Sequence, residues 1–239
     1  MNINPTIHAD DDMFVAEHKA HYFSVGESAL KNIVAALSAS QEKTINTILD
    51  LPCGYGRVLR HVHAYFPKAA ITACDLNRGG VDFCAETFGA KGVYSTQNLL
   101  DLHLDQTFDL IWCGSLLTHL EEDRWPSCLQ FFSQHLTENG IFVFSTHGRR
   151  AYDNLRRSEH AYDLTKEACQ QLFKDYEATG FGYVNYASHS DYGVSLSSPS
   201  WVFSQLEQRP ELTVTAFSEH SWDQHHDVFA CQKSLVGKF

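Results

Sequence analysis

Two rhythms of apolar and polar positions alternate along the first 147 residues. Short, almost wholly apolar runs at 47–51, 70–74 and 108–113 read as strands buried on both faces. A shorter run at 91–94 and another at 141–145, entered through the turn Asn139-Gly140, complete a set of five. Between them, apolar residues recur at helical spacing. The expected helices run from about 56 to 66, where Pro67 stops the turn, from 79 to 88 with Gly89 as cap, and from 122 to 135 with Pro126 in its first turns. A further helix is expected over residues 13–38, with Phe14, Phe23, Leu30, Ile33, Val34 and Leu37 inward. The polar residues before it, including Asp10, Asp11 and Asp12, read as a loose lead.

After His147 the texture changes. Residues 149–198 are rich in Tyr, Ser, His and Asp, and within them a helix is expected at 165–178 with Thr165 as its cap. Another is expected at 200–208. Residues 212–217 and 228–232 then alternate apolar and polar positions, as an antiparallel pair does. Strand alternating with helix demands right-handed crossovers and a doubly wound, mostly parallel α/β sheet. The reading is one domain over 1–239, with a helical cap at 13–40 and a substrate-side insertion at about 149–198. There is no repeat, low-complexity tract or linker.

Composition narrows the function. The chain has 239 residues, 44% hydrophobic and 20% charged, with a formal net charge of -11. That balance makes a nucleic-acid substrate unlikely, although Arg149, Arg150, Arg156 and Arg157 form a local basic stretch. Seven cysteines without a C-x-x-C pair point to reduced thiols and a cytoplasmic protein. No leader is read at the N-terminus, and no run approaches the ~20 apolar residues of a membrane span.

The chemistry lies at the end of the first strand, in Asp50-Leu51-Pro52-Cys53-Gly54-Tyr55-Gly56-Arg57. Two glycines around one residue let the backbone approach a ligand closely, and the second strand ends in an acid, Asp75. A glycine turn and an acid about 20 residues later describe a nucleoside at the carboxyl edge of a parallel sheet. The dinucleotide fingerprint asks for a third glycine where this chain has Leu59, and no P-loop pattern occurs. The closing antiparallel pair also argues against parallel dinucleotide-binding units.

The segment resembles motif I of the class I S-adenosylmethionine-dependent methyltransferases, with Pro52 in place of the first glycine. Residues 108–120 resemble the family's strand-four motif ending in His119-Leu120, and 136–144 resemble its strand-five segment. The resemblance implies a Rossmann-like fold of seven strands ending in an antiparallel hairpin, with S-adenosyl-L-methionine as cofactor. It places Asp50, Pro52, Cys53, Gly54, Gly56 and Arg57 around the cofactor. Asp75 and Leu76 would face its ribose, and Asn98 (in place of the usual acid) and Leu99 its adenine. Cys113, Gly114, Ser115 and His119 would follow strand four, and Tyr22 and Gly26 would cover the ligand from the N-terminal helix.

Methyl transfer from a sulfonium is an in-line displacement, so the protein mainly aligns the acceptor and, for a hydroxyl, removes a proton. His147 after strand five is the first expectation for a base or substrate contact, with His119 second. Tyr152, Tyr162, Tyr183, Tyr186, His189 and Tyr192, with Trp222 and His225 between the last strands, are expected to line the acceptor side. His220, His225 and His226 lack metal-ligand spacing, and no metal is expected. The acceptor is expected to be a small molecule methylated at oxygen. A non-catalytic cofactor-binding module and an NAD-type oxidoreductase remain as alternatives.

Overall fold

The computed structural model describes residues 2–40, 44–157, 162–187 and 192–234. The chain opens with a helix, α1 (Lys19–Ala39), and then alternates strand and helix: β1 (Thr47–Asp50), α2 (Leu59–Tyr65), β2 (Ala70–Asp75), α3 (Arg78–Phe88), β3 (Lys91–Tyr94), β4 (Phe108–Cys113), α4 (Trp125–His135) and β5 (Leu136–Thr146). An inserted unit follows, made of α5 (Arg149–Arg156), α6 (Lys166–Thr179), β6 (Phe181–Asn185) and β7 (Gly193–Ser197). The chain continues through α7 (Pro199–Glu207), β8 (Leu212–Trp222) and β9 (His226–Lys233).

Seven strands form one sheet in the order β3-β2-β1-β4-β5-β9-β8, while β6 and β7 pair separately. The first five are parallel, and β9 runs antiparallel to both β5 and β8. Strand order reverses between β1 and β4, which opens a crevice beyond their carboxyl ends. Successive side chains of the central strands point to opposite faces. Ile48, Leu110 and Val143 pack with α1, α2 and α3, and Leu49, Ile111 and Phe142 pack with α4 and α7. Both faces are therefore covered, which is why these strands read as continuous apolar runs.

Several expectations change. The loose lead is pinned: the buried Arg60 guanidinium donates to the carbonyls of Asn4 and Thr6 at 3.1 and 2.8 Å, and Tyr22 donates to Asp11 at 2.6 Å. Accordingly α1 begins at Lys19, preceded by a single 3-10 turn. Residues 122–124 are also 3-10, because Pro126 at the second position of α4 leaves the α-helix to start at Trp125. The inserted unit is more regular than its polar texture implies. It has its own small core of Ala151, Leu155, Leu172, Val194 and Leu196, while Gly182 lets β6 press against α6, where a Cβ would come within 2.4 Å of the Leu172 carbonyl. Thr165 caps α6 as expected, accepting from the Ala168 N–H, and Asn77 caps α3 by accepting from the Gly80 N–H.

Candidate functional site

The loop after β1 and the end of β2 are joined by one carboxylate. Asp75 accepts from the Gly54 N–H through Oδ2 and from the Asn77 N–H through Oδ1, both at 2.8 Å. Gly54 has φ 49°, and a Cβ placed there meets no atom within 4 Å, so this backbone borders open space. Gly56 does something different. A Cβ there would lie 2.8 Å from the Phe88 ring and 3.1 Å from the Cys84 sulfur, so this glycine seats the loop on α3. The close helix approach that a third motif glycine would give comes instead from Gly80 in α3, where a Cβ would stand 2.4 Å from the Gly54 carbonyl oxygen. Leu59, at the vacant motif position, is fully buried in the core.

A cavity of about 380 Å³ opens at the carboxyl ends of β1, β2 and β4. Pro52, Asp75, Leu76, Asn98, Leu99, Ser115 and His119 of the expected cofactor set line it, and Tyr192 of the insertion closes one side. Asn98 also caps the following turn, accepting from Leu100 N–H at 3.2 Å and donating to Asp101 at 3.2 Å. Sequence reasoning missed Ser95, Thr96, Gln97 and Arg124 on the same wall. The available signal was their position just beyond β3 and in the turn before α4, at the ligand edge of the sheet.

Two ionisable groups, at the end of β1 and in the loop after it, lack ordinary partners among the described residues. Asp50, the last residue of β1, is buried, and neither carboxylate oxygen has a hydrogen bond among the described residues. Burial, and then the charge of Asp75, push its pKa well above the carboxylate range. The half-buried Arg57 guanidinium makes no hydrogen bond or ion pair among the described residues. Burial pulls its pKa down, against the opposing pull of Tyr22, Asp11, Asp223 and Asp12. Cys53 and Cys113 are buried thiols with raised pKa values, Cys53 chiefly through its contact with Cys84 and Cys113 chiefly through burial, so both are neutral packing groups.

Other expected contacts lie elsewhere. Tyr22 is buried with its hydroxyl engaged by Asp11 and Arg60. Gly26 seats α1 on α2, since a Cβ there would come within 2.3 Å of the Arg57 carbonyl. Gly114 makes room for two indoles, with Trp112 and Trp222 2.8 and 2.9 Å from its would-be Cβ. Trp222 itself donates to the Val25 carbonyl at 3.0 Å. Tyr152 is bound to Glu177 and Arg156 on the outside of the insertion, and Tyr183 donates to Asn185 at 2.6 Å. His189 lies outside the described residues.

The structure brings the remaining candidates together. His119 reaches the Gly193 carbonyl through Nδ1 at 2.7 Å, and a carbonyl only accepts, so Nδ1 carries the proton and Nε2 keeps its lone pair. Its ring stacks on Tyr192, with centroids 4.8 Å apart, and Tyr186 is 6.1 Å away. Burial lowers its pKa below the usual value, against a raising contribution from Gly193. His147 stands behind it, 6.4 Å away in an edge-on arrangement, and is 2% exposed. Around His147 are Tyr162, His225 and His226, at centroid distances of 5.0, 5.2 and 4.7 Å. The Tyr162 hydroxyl meets Nε2 of His147 at 3.2 Å and also bonds Nε2 of His225. Burial first, and then the neighbouring imidazoles His226, His225 and His119, push the His147 pKa well down. His119 thus borders the cavity, and His147 belongs to a buried cluster beside it.

A family model described as "Methyltransferase domain" matches residues 49–142, from the end of β1 into β5. A malonyl-[acyl-carrier protein] O-methyltransferase of Bacillus cereus is 27% identical over 139 residues, covering 57% of this chain and 51% of that protein. The chain therefore spans about half the length of the curated relatives it matches. Among solved structures, an S-adenosylmethionine-dependent methyltransferase from Clostridium acetobutylicum superposes with a TM-score of 0.58 at 15% identity, covering 89% of this chain and 92% of that one. N-methyltransferase NodS from Bradyrhizobium japonicum, in complex with S-adenosyl-l-homocysteine, gives 0.54 at 13% identity, covering 87% and 86%. At those identities the structural matches speak for the fold.

Proposed function

We propose that the chain is a class I S-adenosylmethionine-dependent methyltransferase that transfers the methyl group of that cofactor to an oxygen of a small-molecule acceptor. One observation carries the reading. The cavity at the β1/β4 reversal is walled by Pro52 and by Asp75, whose carboxylate also holds the Gly54 N–H of the glycine loop.

The residues present fit the cofactor's chemistry. Each Asp75 oxygen already accepts one backbone N–H and has a lone pair left for a ribose hydroxyl. Asn98 and Leu99 offer a polar and an apolar edge for the adenine. The orphaned Asp50 carboxylate suits an ammonium group, and Arg57 suits a carboxylate, the two charges of an amino-acid tail. When bound, the cofactor supplies an already activated methyl group on a positively charged sulfur.

What remains for the protein is alignment and proton handling. His119 Nε2 offers its lone pair at the cavity wall and can accept the proton of an acceptor hydroxyl. Its lowered pKa keeps it neutral at neutral pH but makes it a weaker base, which suits a hydroxyl activated during transfer or an acceptor that arrives ionised. Tyr186 and Tyr192 flank that imidazole and restrict water at the same place. The name of the curated relatives, an O-methyltransferase, supports oxygen as the accepting atom.

Calorimetric titration with S-adenosylhomocysteine tests the cofactor site; micromolar affinity is expected, and no heat from folded protein would refute it. Transfer of label from methyl-labelled cofactor to a panel of hydroxyl, carboxyl and amine acceptors tests the accepting atom. Labelled amines with unlabelled oxygen compounds would overturn the choice of oxygen.

A further inference from the structure

We propose that His147, His225 and His226 bind a divalent transition-metal ion of the zinc class, with the Tyr162 oxygen as a fourth donor. His147 follows the last residue of β5, while His225 and His226 lie at the turn into β9. The antiparallel register of Thr146 with Asp227 sets them side by side. One ring nitrogen from each comes within 4.8 Å of the others. Donors about 2.0–2.1 Å from a tetrahedral zinc stand roughly 3.3–3.4 Å from one another. Side-chain rotation of about 1 Å therefore closes the set without moving the strands. The rings contact one another in all three pairings, with centroids 5.2, 4.7 and 5.0 Å apart.

The surrounding polar groups favour ligation over plain ring packing. Imidazole ligands commonly use their second nitrogen to bond an outer partner, which fixes the nitrogen that faces the metal. His226 Nδ1 has Ser145 Oγ at 3.4 Å, and His225 Nδ1 has the Asn154 amide nitrogen at 3.4 Å. The Asn154 amide oxygen, meanwhile, is buried without a partner. Exchanging the two near-isosteric ends of that amide lets the oxygen accept from His225 Nδ1–H and leaves Nε2 as donor. The Tyr162 hydroxyl already stands at Nε2 of both His147 and His225, where a fourth ligand belongs. His220, the third histidine of the same hairpin, points elsewhere, bonding the Glu219 carbonyl from an exposed position.

The test uses untagged full-length protein stripped with a chelator and then titrated with cobalt(II) alone, without cofactor or acceptor. One bound ion per chain and the visible d–d absorption of a low-coordinate cobalt site are expected, with zinc displacing it. His225→Ala and His226→Ala should each weaken binding by more than about tenfold, and Tyr162→Phe should keep the ion but change the spectrum. His220→Ala should leave both unchanged. S-adenosylhomocysteine affinity, measured on the same variants, checks folding and keeps the result separate from the methyl-transfer reading. Wild-type protein that binds cofactor but no cobalt or zinc would overturn the metal site. So would a folded His225→Ala variant that binds the ion as wild type does.

Discussion

Removing the Asp75 carboxylate tests the cofactor reading most directly, because that group has two separable duties. Within the protein it accepts from the Gly54 and Asn77 N–H groups, both at 2.8 Å. Towards the cavity it is expected to accept from two ribose hydroxyls. Hydrogen bonds to a charged group contribute about 1.5–3 kcal/mol each in sheltered positions and less where water competes. Asp75 is half-buried, so the two ribose bonds together are expected to contribute about 1–3 kcal/mol. Asp75→Ala should therefore weaken S-adenosylhomocysteine binding by roughly 5- to 150-fold. The same change strands the Gly54 N–H, with a stability loss of about 1–2 kcal/mol. For a chain of this size that lowers the melting temperature by about 2–4 °C per kcal/mol. Asp75→Asn keeps one acceptor oxygen and should fall between the two. Calorimetry gives the affinity and thermal unfolding gives the stability. A lower melting temperature with affinity within about twofold of wild type would show that Asp75 only anchors the loop, and would refute its ribose role.

Other expected outcomes follow from the same geometry. Gly79→Ala and Gly80→Ala should differ in sign. Both gain about 1 kcal/mol of helix propensity, but the Gly79 Cβ meets side-chain ends, the Tyr55 hydroxyl at 3.0 Å and the Asn77 amide oxygen at 3.4 Å, whereas the Gly80 Cβ strikes the Gly54 carbonyl at 2.4 Å. Gly80→Ala should thus lose about 1–3 kcal/mol by overpacking and weaken cofactor binding, as chemical denaturation and calorimetry would show; equal stability of the two variants would contradict the packing argument. His119→Ala should lower turnover about 10²- to 10⁴-fold, with a far smaller effect on cofactor affinity. Because the His119 pKa is depressed, wild-type activity should hold through neutral pH and fall on an acid limb below the usual histidine range; the same limb in His119→Gln would assign it to another group. Asp227, buried beside the hairpin, has its pKa pushed up to about 6, chiefly by burial. A raised folded-state pKa means stability is full below the unfolded value of 3.8 and is lost as pH rises through about 6. Asp227→Asn should therefore be more stable than wild type by about 1–3 kcal/mol above pH 6 and little different near pH 4, read from melting curves across that range.

The local rules of the chain reach far in its first half. Residues 108–113 are apolar on both faces except for Asp109, and that run becomes β4 without change at either end. Asn77 and Gly89 cap α3 at its two ends, as their chemistry specifies. The glycine turn and Asp75 identify the ligand edge because a strand end, a tight turn and an acid are neighbours in sequence before they are neighbours in space. The insertion is different. Its strands β6 and β7 are short and polar on one side, and only their packing against α5 and α6 makes them regular.

By itself the sequence determined the alternation of strand and helix, the mostly parallel sheet, the antiparallel finish and the glycine loop at the end of the first strand. Tertiary structure alone decided that Gly80 rather than a third motif glycine admits the close helix, and that Arg60 ties down the N-terminal lead. It also decided that His119 borders the cavity while His147 joins His225 and His226 across nearly eighty positions of chain. The physical reason is range. Propensity, capping and turn chemistry act within a few residues, whereas the meeting of side chains from separate strand ends is fixed by sheet register and by which atoms are left to fill the space between them.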